Sequence, residues 1–275
     1  MHIAVIGAGV SGLVASYLLQ RQHRVELFEA RATAGGHANT VVTTDASGQE
    51  VPLDVGFIVY TERTYPVFSR LLRELNVTSQ LSDMSFGVRD ESHDFEFSSR
   101  GVRGYLAQPR NLLRPWAVRL ALDALRFQRD ARAVLRDNSM HDVDFGTYLA
   151  AQGYSRAFRE RIIVPLIAST WSNAPQDAMG FPVHYLFRFL EQHGVLHRNS
   201  IPEWRWIVGG ARTYVEAVLR TMPPERVHLG CAVREVTRTD RGVELVAGDQ
   251  RRSFDAVVLA CHTDQSLALL ADPSE

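Results

Sequence analysis

Cysteine is scarce. The 275-residue chain has two, Cys231 and Cys261. They form no C-x-x-C pair and no zinc spacing, which excludes a disulfide framework and a cysteine-built zinc module. Such a chain suits a reducing compartment, and a cytoplasmic location is expected. Charge of one sign is lacking too: 30 basic residues face 31 acidic ones, a formal net charge of −1. That balance argues against a general nucleic-acid binder. Long hydrophobic runs are missing, and nothing approaches the roughly 20 apolar residues of a membrane-spanning helix. Met1 leads straight into an apolar strand instead of a basic segment and a hydrophobic leader, so no secretory signal is expected. No repeat or low-complexity segment interrupts the chain. An apolar fraction of 45% is that of an ordinary globular protein, and the length allows one large or two modest domains.

What is present is concentrated at the N-terminus. His2-Ile3-Ala4-Val5-Ile6 reads as a short buried parallel strand. Gly7-Ala8-Gly9-Val10-Ser11-Gly12 follows, and Gly12 to Arg21 reads as a helix with Leu13, Val14, Tyr17 and Leu18 on one face. Val25 to Glu29 reads as a second strand. Gly7 permits a tight turn, Gly9 lets backbone approach a pyrophosphate, and Gly12 lets helix and strand pack closely. The helix start then offers N–H groups and a positive dipole end to phosphate. Glu29 lies 17 residues beyond Gly12, where a carboxylate can take both hydroxyls of a ribose. Glycines alone are a weak signal, whereas strand, glycines, helix, strand and acid in that order are a strong one.

The next residues favour FAD over NAD. Glu29 is followed by Ala30-Arg31, then by Gly35-Gly36-His37 and Thr40. Arg31 can lie beside an adenine or reach a phosphate, and Gly35-Gly36 offers a second place for backbone to run against a dinucleotide. The chain then enters Val51 to Phe57, read as a strand ending in a glycine turn, where a simple NAD domain goes into another helix.

These sixty residues resemble the FAD-dependent amine oxidase superfamily, which also holds protoporphyrinogen oxidases and carotenoid desaturases. A bacterial branch of predicted NAD/FAD-binding proteins is similar in Gly35-Gly36-His37, in Asp54-Val55-Gly56-Phe57-Ile58-Val59-Tyr60, and in Tyr65-Pro66. Ser82 to Phe86, Trp171-Ser172, His193 to Leu196, Trp204 with Val208-Gly209-Gly210, and Val257 to Gln265 fit as well. One departure is Thr61, where the branch leads one to expect Asn. The resemblance implies an α/β fold, a Rossmann-like FAD-binding domain of the glutathione-reductase type, with an inserted, mostly helical substrate domain. The expected division is 1–60 and 207–275 for FAD, and 61–206 for substrate. It implies cofactor contacts at Gly7, Ala8, Gly9, Val10, Ser11, Gly12, Glu29, Ala30, Arg31, Gly35, Gly36 and His37. Thr40 and Gly56 are candidates at the flavin, Val233 falls where such families hold adenine by backbone bonds, and Ala260 completes the set. Family members continue beyond the stretch resembling Ala256 to Leu270, so a C-terminal truncation is expected.

The rest of the chain reads coarsely. Expected helices are Thr64 to Leu75, one or two over 111–136, one from Phe145, Ser155 to Ile167, 183–193, and Ala211 to Met222. Expected strands are Asp94 to Ser98, Arg226 to Leu229, a hairpin of Val233 to Arg238 with Val243 to Val246, and Phe254 to Ala260.

Few groups outside the glycine motif suggest chemistry, as suits a flavoenzyme, whose ring accepts hydride while the protein positions substrate. Catalytic residues are therefore left unassigned. Trp171, Phe181, Tyr185, Trp204 and Trp206 can line an apolar pocket, though large rings equally serve a core. His184, His193 and His197 lack the carboxylate that would complete a metal set, and no metal is expected. Arg110 to Arg136 is a basic amphipathic stretch that suits either a solvated face or peripheral contact with an anionic inner-membrane surface. The expected activity is FAD-dependent oxidation of a C–N or C–C bond in an apolar or amphipathic small molecule, with oxygen or a quinone as acceptor. A redox-neutral flavoprotein isomerase and a non-catalytic flavin-binding fragment are the alternatives.

Overall fold

The computed structural model describes residues 1–101, 104, 108–171, 174–196 and 203–273. It separates into two compact units, Met1–Ser82 with Arg205–Glu275, and Asp83–Trp204. The chain builds half of the first unit, then the second, then returns.

The first unit opens with β1 (His2–Ile6), α1 (Val10–Leu19) and β2 (Arg24–Phe28). Ile3 to Ile6 and Val25 to Phe28 are buried, because a parallel strand is covered on both faces and so reads as a continuous run. The helix begins two residues before the expected Gly12, and its face differs from expectation. Gly12, Leu13 and Ser16 are buried, while Leu18 is 46% exposed. The absence of a side chain at Gly12 brings the helix close to the loop, a Cβ there standing 1.8 Å from the Gly7 carbonyl oxygen. An antiparallel hairpin follows, β3 (Thr40–Thr44) with β4 (Glu50–Asp54), in register Val41 with Leu53. The sequence gives β3 no signal and runs β4 on to Phe57, because Val41, Val42 and Leu53 are all exposed and no alternation marks a buried face. Next come β5 (Tyr60–Thr61), α2 (Pro66–Glu74) and β6 (Ser79–Leu81). Proline at the first helical position explains why α2 starts at Pro66 and not Thr64.

The second unit is mostly helical. A hairpin of β7 (Gly87–Asp90) and β8 (Phe95–Ser98) precedes α3 (Pro115–Arg136), a single 22-residue helix. Then come α4 (Phe145–Ala151) and α5, which runs from Arg156–Phe158 through a π-turn at Arg159–Ile163 into Val164–Trp171. A short helix, Pro175–Ala178, leads to α6 (Val183–Gln192). Phe127 sits at the centre of the core, with ring centroids of Phe187 at 5.3 Å, Phe158 at 5.6 Å, Tyr154 at 5.9 Å and Phe145 at 6.3 Å. Offset and edge-on pairs of this kind add to plain area burial.

The return begins with β9 (Trp204–Ile207), antiparallel to β6, and α7 (Arg212–Leu219). Then β10 (Val227–His228) joins β2 in parallel. A three-stranded meander follows: β11 (Val233–Thr239), β12 (Gly242–Ala247) and β13 (Gln250–Phe254). Last are β14 (Ala256–Leu259), parallel to β1, and α8 (Thr263–Leu269). The central sheet has the order β10-β2-β1-β14, so its four parallel strands come from both ends of the chain. Phe254, expected to open the last parallel strand, instead closes β13. Its ring is buried edge-on against Phe28 at 5.9 Å, and the Asp255 amide donates to the His2 carbonyl at 2.8 Å, so the parallel run starts two residues later, at Ala256.

Candidate cofactor site

The site grows from the turn after β1. Gly7 has φ +101°, and a side chain there would meet the Ala260 carbonyl oxygen at 2.8 Å. Its amide donates to Phe28 O at 2.8 Å, while the Ala260 amide donates to Ile6 O at 2.8 Å. The turn is thus clamped between β2 and the end of β14. Gly12 is still more constrained, since a Cβ would stand 1.8 Å from the Gly7 carbonyl oxygen. Gly9 is the contrast. It takes an extended conformation, φ −70° and ψ 178°, as N-cap of α1, and no side chain caps the helix. A Cβ built on Gly9 meets nothing within 4 Å. The first turn of a helix leaves its amides without intrahelical acceptors. The loop therefore presents donors and an open face at one point, beside the exposed Val10 and Ser11.

The second glycine pair packs against the first. The Gly35 amide donates to Ala8 O at 2.7 Å, Gly9 and Gly35 form a parallel bridge, and a Cβ on Gly36 would stand 3.1 Å from the Gly9 Cα. Glu29 is fixed by two backbone donors, the Ala8 amide to Oε2 at 2.7 Å and the Arg31 amide to Oε1 at 2.9 Å. Each carboxylate oxygen keeps acceptor capacity beyond that one bond. The stretch after β10 runs alongside: the Cys231 amide donates to Glu29 O at 2.8 Å and the Gly230 amide to Arg31 O at 2.7 Å. Val233 begins β11 two residues later, beside a bulge between Val233 and Glu235. Ala30 and Arg31 are exposed.

The remaining candidates lie beyond Gly36. The His37 carbonyl accepts from the Phe57 amide at 2.9 Å, and a Cβ on Gly56 would meet that same carbonyl oxygen at 2.1 Å. The Thr40 hydroxyl is already committed. It donates to Asp54 Oδ1 at 2.6 Å and accepts from the Arg212 amide at 3.0 Å, and Asp54 also accepts from the Ala211 amide at 2.9 Å. Thr40 and Asp54 together hold the β3–β4 hairpin on the N-terminus of α7. Gly210 makes this approach possible, as a Cβ there would strike the Thr40 methyl at 2.5 Å. Tyr214, on α7, has its phenol pushed up to about 12 by burial and then by the charge of Asp54, so it stays protonated.

Two residues escaped the sequence reading. His262 follows β14, and its ring lies 5.9 Å from that of His37, within 12° of parallel. Asp54 stood in a quoted motif but was not assigned a role; an acid at a strand end before a glycine turn was the available signal. The aromatic candidates do not share one place. Trp171, Phe181, Phe189, His193 and Trp204 form a row in the second unit, with successive centroid distances from Trp171 of 4.9 Å to Phe181 and 4.5 Å to Phe189, then 4.0 Å to His193 and 6.0 Å to Trp204. Tyr185 flanks it 6.5 Å from Trp171. Trp206 belongs to the first unit, on β9 opposite Gln80. Thr61 is buried and bonded to the Thr64 hydroxyl at 2.7 Å, a turn element before α2. Ser172 and His197 lie outside the described residues. His184 bonds Ser139 O and His193 bonds Phe189 O, and among the described residues no cluster of His, Cys, Asp or Glu is placed to hold a metal. No helix among them is long and apolar enough to cross a membrane.

A clamped glycine turn, an uncapped helix start and a fixed carboxylate at the C-terminal ends of parallel strands define a dinucleotide-binding α/β protein. The sequence model of the flavin-containing amine oxidoreductases matches residues 10–274, and the chain belongs to that family. Its cofactor is accordingly FAD. A zeta-carotene desaturase of Arabidopsis thaliana is 25% identical over 190 residues, 60% of this chain and 32% of the desaturase. Among solved structures, a triple mutant of putrescine oxidase superposes with a TM-score of 0.71 at 19% identity, covering 100% of this chain and 61% of that one. A cyclohexylamine oxidase of Brevibacterium oxydans gives 0.68 at 17%, covering 100% and 61%. A fatty acid isomerase of P. acnes gives 0.66 at 17%, covering 99% and 61%. These likenesses show the fold, a Rossmann-like FAD-binding architecture. The chain spans about three-fifths of the length of these structures.

Proposed function

We propose that the unit Met1–Ser82 with Arg205–Glu275 holds FAD, that Asp83–Trp204 shapes the substrate side, and that the protein oxidises a C–N or C–C bond of an apolar or amphipathic small molecule. The observation that carries the reading is the open face at Gly9 beside the uncapped start of α1. The residues present fit the cofactor. The first amides of α1 would take the pyrophosphate, with Val10 and Ser11 contributing backbone only. Glu29, oriented by the Ala8 and Arg31 amides, would accept from the ribose hydroxyls. Ala30, Arg31 and the backbone at Val233 would face the adenosine end. Gly35, Gly36, His37, Gly56 and Ala260 would wall the dinucleotide. Thr40 would act through its position, its hydroxyl being bonded within the fold.

When bound, FAD would supply the two-electron acceptor for hydride. The protein contributes orientation and exclusion of water, which needs no catalytic acid or base. Amine oxidases among the structural relatives support a C–N bond, and the desaturase supports a C–C bond; oxygen or a quinone would be the acceptor. Titrating the purified chain with FAD and following the flavin spectrum tests the cradle. Glu29→Ala should weaken binding, as loss of two bonds to a charged acceptor is worth about 3 kcal/mol or more. An unchanged affinity would remove Glu29 from the site.

A further inference from the structure

The face of α3 turned away from the core has an order that a water-facing helix does not need. Its buried stripe is Ala117, Leu120, Phe127, Ala131 and Val134, with Asp123 buried among them. The opposite stripe, at alternating spacings of four and three, is Val118, Leu122, Leu125, Arg129, Arg132 and Arg136. Val118, Leu122 and Leu125 are 43%, 58% and 42% exposed, and the three arginines are exposed as well. The stripe is aliphatic in its first half, cationic in its second, and contains no acid.

The charges beside it are accounted for. Arg129 pairs with its neighbour Asp130 at 2.8 Å. Arg119 pairs with Asp123, and Arg126 turns inward over the Tyr154 ring at 4.1 Å, its Nη2 donating to Gln152 O. Arg132 donates to the Gln128 carbonyl, and among the described residues neither it nor Arg136 makes an ion pair. Arg129, Arg132, Leu135 and Arg136 line one open groove of about 540 Å³ with Glu191 of α6. All 30 basic residues of the chain are arginine, whose planar fork binds phosphate oxygens in pairs.

We infer that this face of α3 docks on an anionic lipid bilayer, with Arg129, Arg132 and Arg136 on phosphate headgroups and Val118, Leu122 and Leu125 entering the acyl boundary. Charge complementarity selects the occupant: Asp130 offsets Arg129 and Glu191 lines the groove, but Arg132 and Arg136 make no ion pair among the described residues, so the face keeps a cationic excess that calls for an anionic surface. The aliphatic half of the same stripe then gains only where that surface continues into hydrocarbon. A soluble acidic protein would satisfy the arginines and leave the leucines in water. The inference stands on the second unit alone and does not depend on the cofactor reading.

Flotation of the full chain with phosphatidylcholine vesicles, with and without phosphatidylglycerol, tests it. The chain should float with the anionic vesicles, more weakly as salt rises, and not with the neutral ones. The triple variant Arg129→Gln, Arg132→Gln, Arg136→Gln should lose about 100-fold in partitioning, at about fivefold per arginine near an anionic surface. Leu122→Ser with Leu125→Ser should also lower it, while Arg251→Gln, a control in the other unit, should not. These positions are exposed, and far-UV circular dichroism checks that the fold is kept. If a variant fails that check, the salt dependence and the wild-type contrast between vesicles still decide. Equal flotation with both vesicles, no flotation with either, or an unaffected arginine variant would overturn the inference. So would wild-type binding to soluble polyglutamate in preference to anionic vesicles, which would assign the face to an acidic polypeptide.

Discussion

Replacing Gly9 by alanine should separate binding from folding. The conformation at Gly9, φ −70° and ψ 178°, is open to any residue, and an added methyl meets nothing within 4 Å. Two small terms then oppose each other in stability. Restricting the unfolded chain stabilises by about 0.4–1 kcal/mol, and alanine is a poorer N-cap than glycine by a similar amount. The folded protein should therefore change by less than about 0.5 kcal/mol, or roughly 1–2 °C in Tm for a chain of this size. Binding is another matter. The methyl points into the space where phosphate would approach the first amides of α1. Pushing the phosphate out by a methyl group costs one or two charge-assisted bonds, about 2–3 kcal/mol, which weakens FAD by about 30- to 150-fold. The assay pairs a thermal melt of the chain without FAD with a flavin titration by fluorescence quenching. Unaltered FAD affinity in a stable Gly9→Ala protein would refute the phosphate cradle at this loop. A protein that melts many degrees lower would refute the open geometry at Gly9.

Gly12→Ala should show the reverse dependence. Its methyl would stand 1.8 Å from the Gly7 carbonyl oxygen and 3.2 Å from the Ala260 methyl, so α1 must move off the loop at a cost of about 3 kcal/mol, a drop of roughly 6–12 °C in Tm with or without FAD. Asp54→Asn should cost about 1–2 kcal/mol, because the Thr40 hydroxyl and the Ala211 amide lose a charged acceptor, and amide exchange at Ala211 should rise while that at Leu13 does not. The Glu26 carboxyl should set an acid limb. Burial alone would raise it, but bonds from His228 and His2, both at 2.9 Å, outweigh burial and hold it below its ordinary 4.5. A carboxyl lowered by folding contributes stability that is complete above the unfolded value and lost as pH falls through the folded one. Urea melts of the wild type should lose stability as pH drops below 4.5, and Glu26→Gln should flatten that limb; parallel curves would show that other groups govern it.

The parts of the fold legible in the sequence are those where local chemistry and burial agree. β1 and β2 are largely apolar because a parallel sheet is covered twice, β14 is an apolar run although its residues are half-buried, and the Asp240-Arg241-Gly242 turn marks a hairpin. β3 left no signal because both faces of its hairpin with β4 are exposed, and the hairpin is anchored through Asp54 to the start of α7, more than 150 residues away in sequence. Residues 61–82 sit with the first unit because β6 finds its partner in β9, a pairing that periodicity cannot reveal. Within the site, glycines announce themselves by type, but their separate duties do not. Only the surrounding atoms distinguish Gly12, where any side chain meets the Gly7 carbonyl, from Gly9, which has open space. His262 was hidden for the same reason, since its interest lies in its ring stacking 5.9 Å from that of His37.

The cradle is thus a long-range object built from short-range motifs. Its inward backbone groups are tied to distant pieces: Gly7 to Phe28, Ala260 to Ile6, Glu29 to His228 and Cys231, Arg31 to Gly230, and Gly35 to Ala8. Buried amides and carbonyls must find partners, and here the accounting leaves the first turn of α1 as the place where donors face outward. The glycine motif supplies the shape of that turn, and strands from the far end of the chain hold it rigid. Such rigidity matters to an anion site, because amides already aimed at a phosphate need no ordering when it arrives. The family signature at residues 7–12 is therefore only half of the binding device; the other half is the β10–β14 return, which carries no glycine-rich signature.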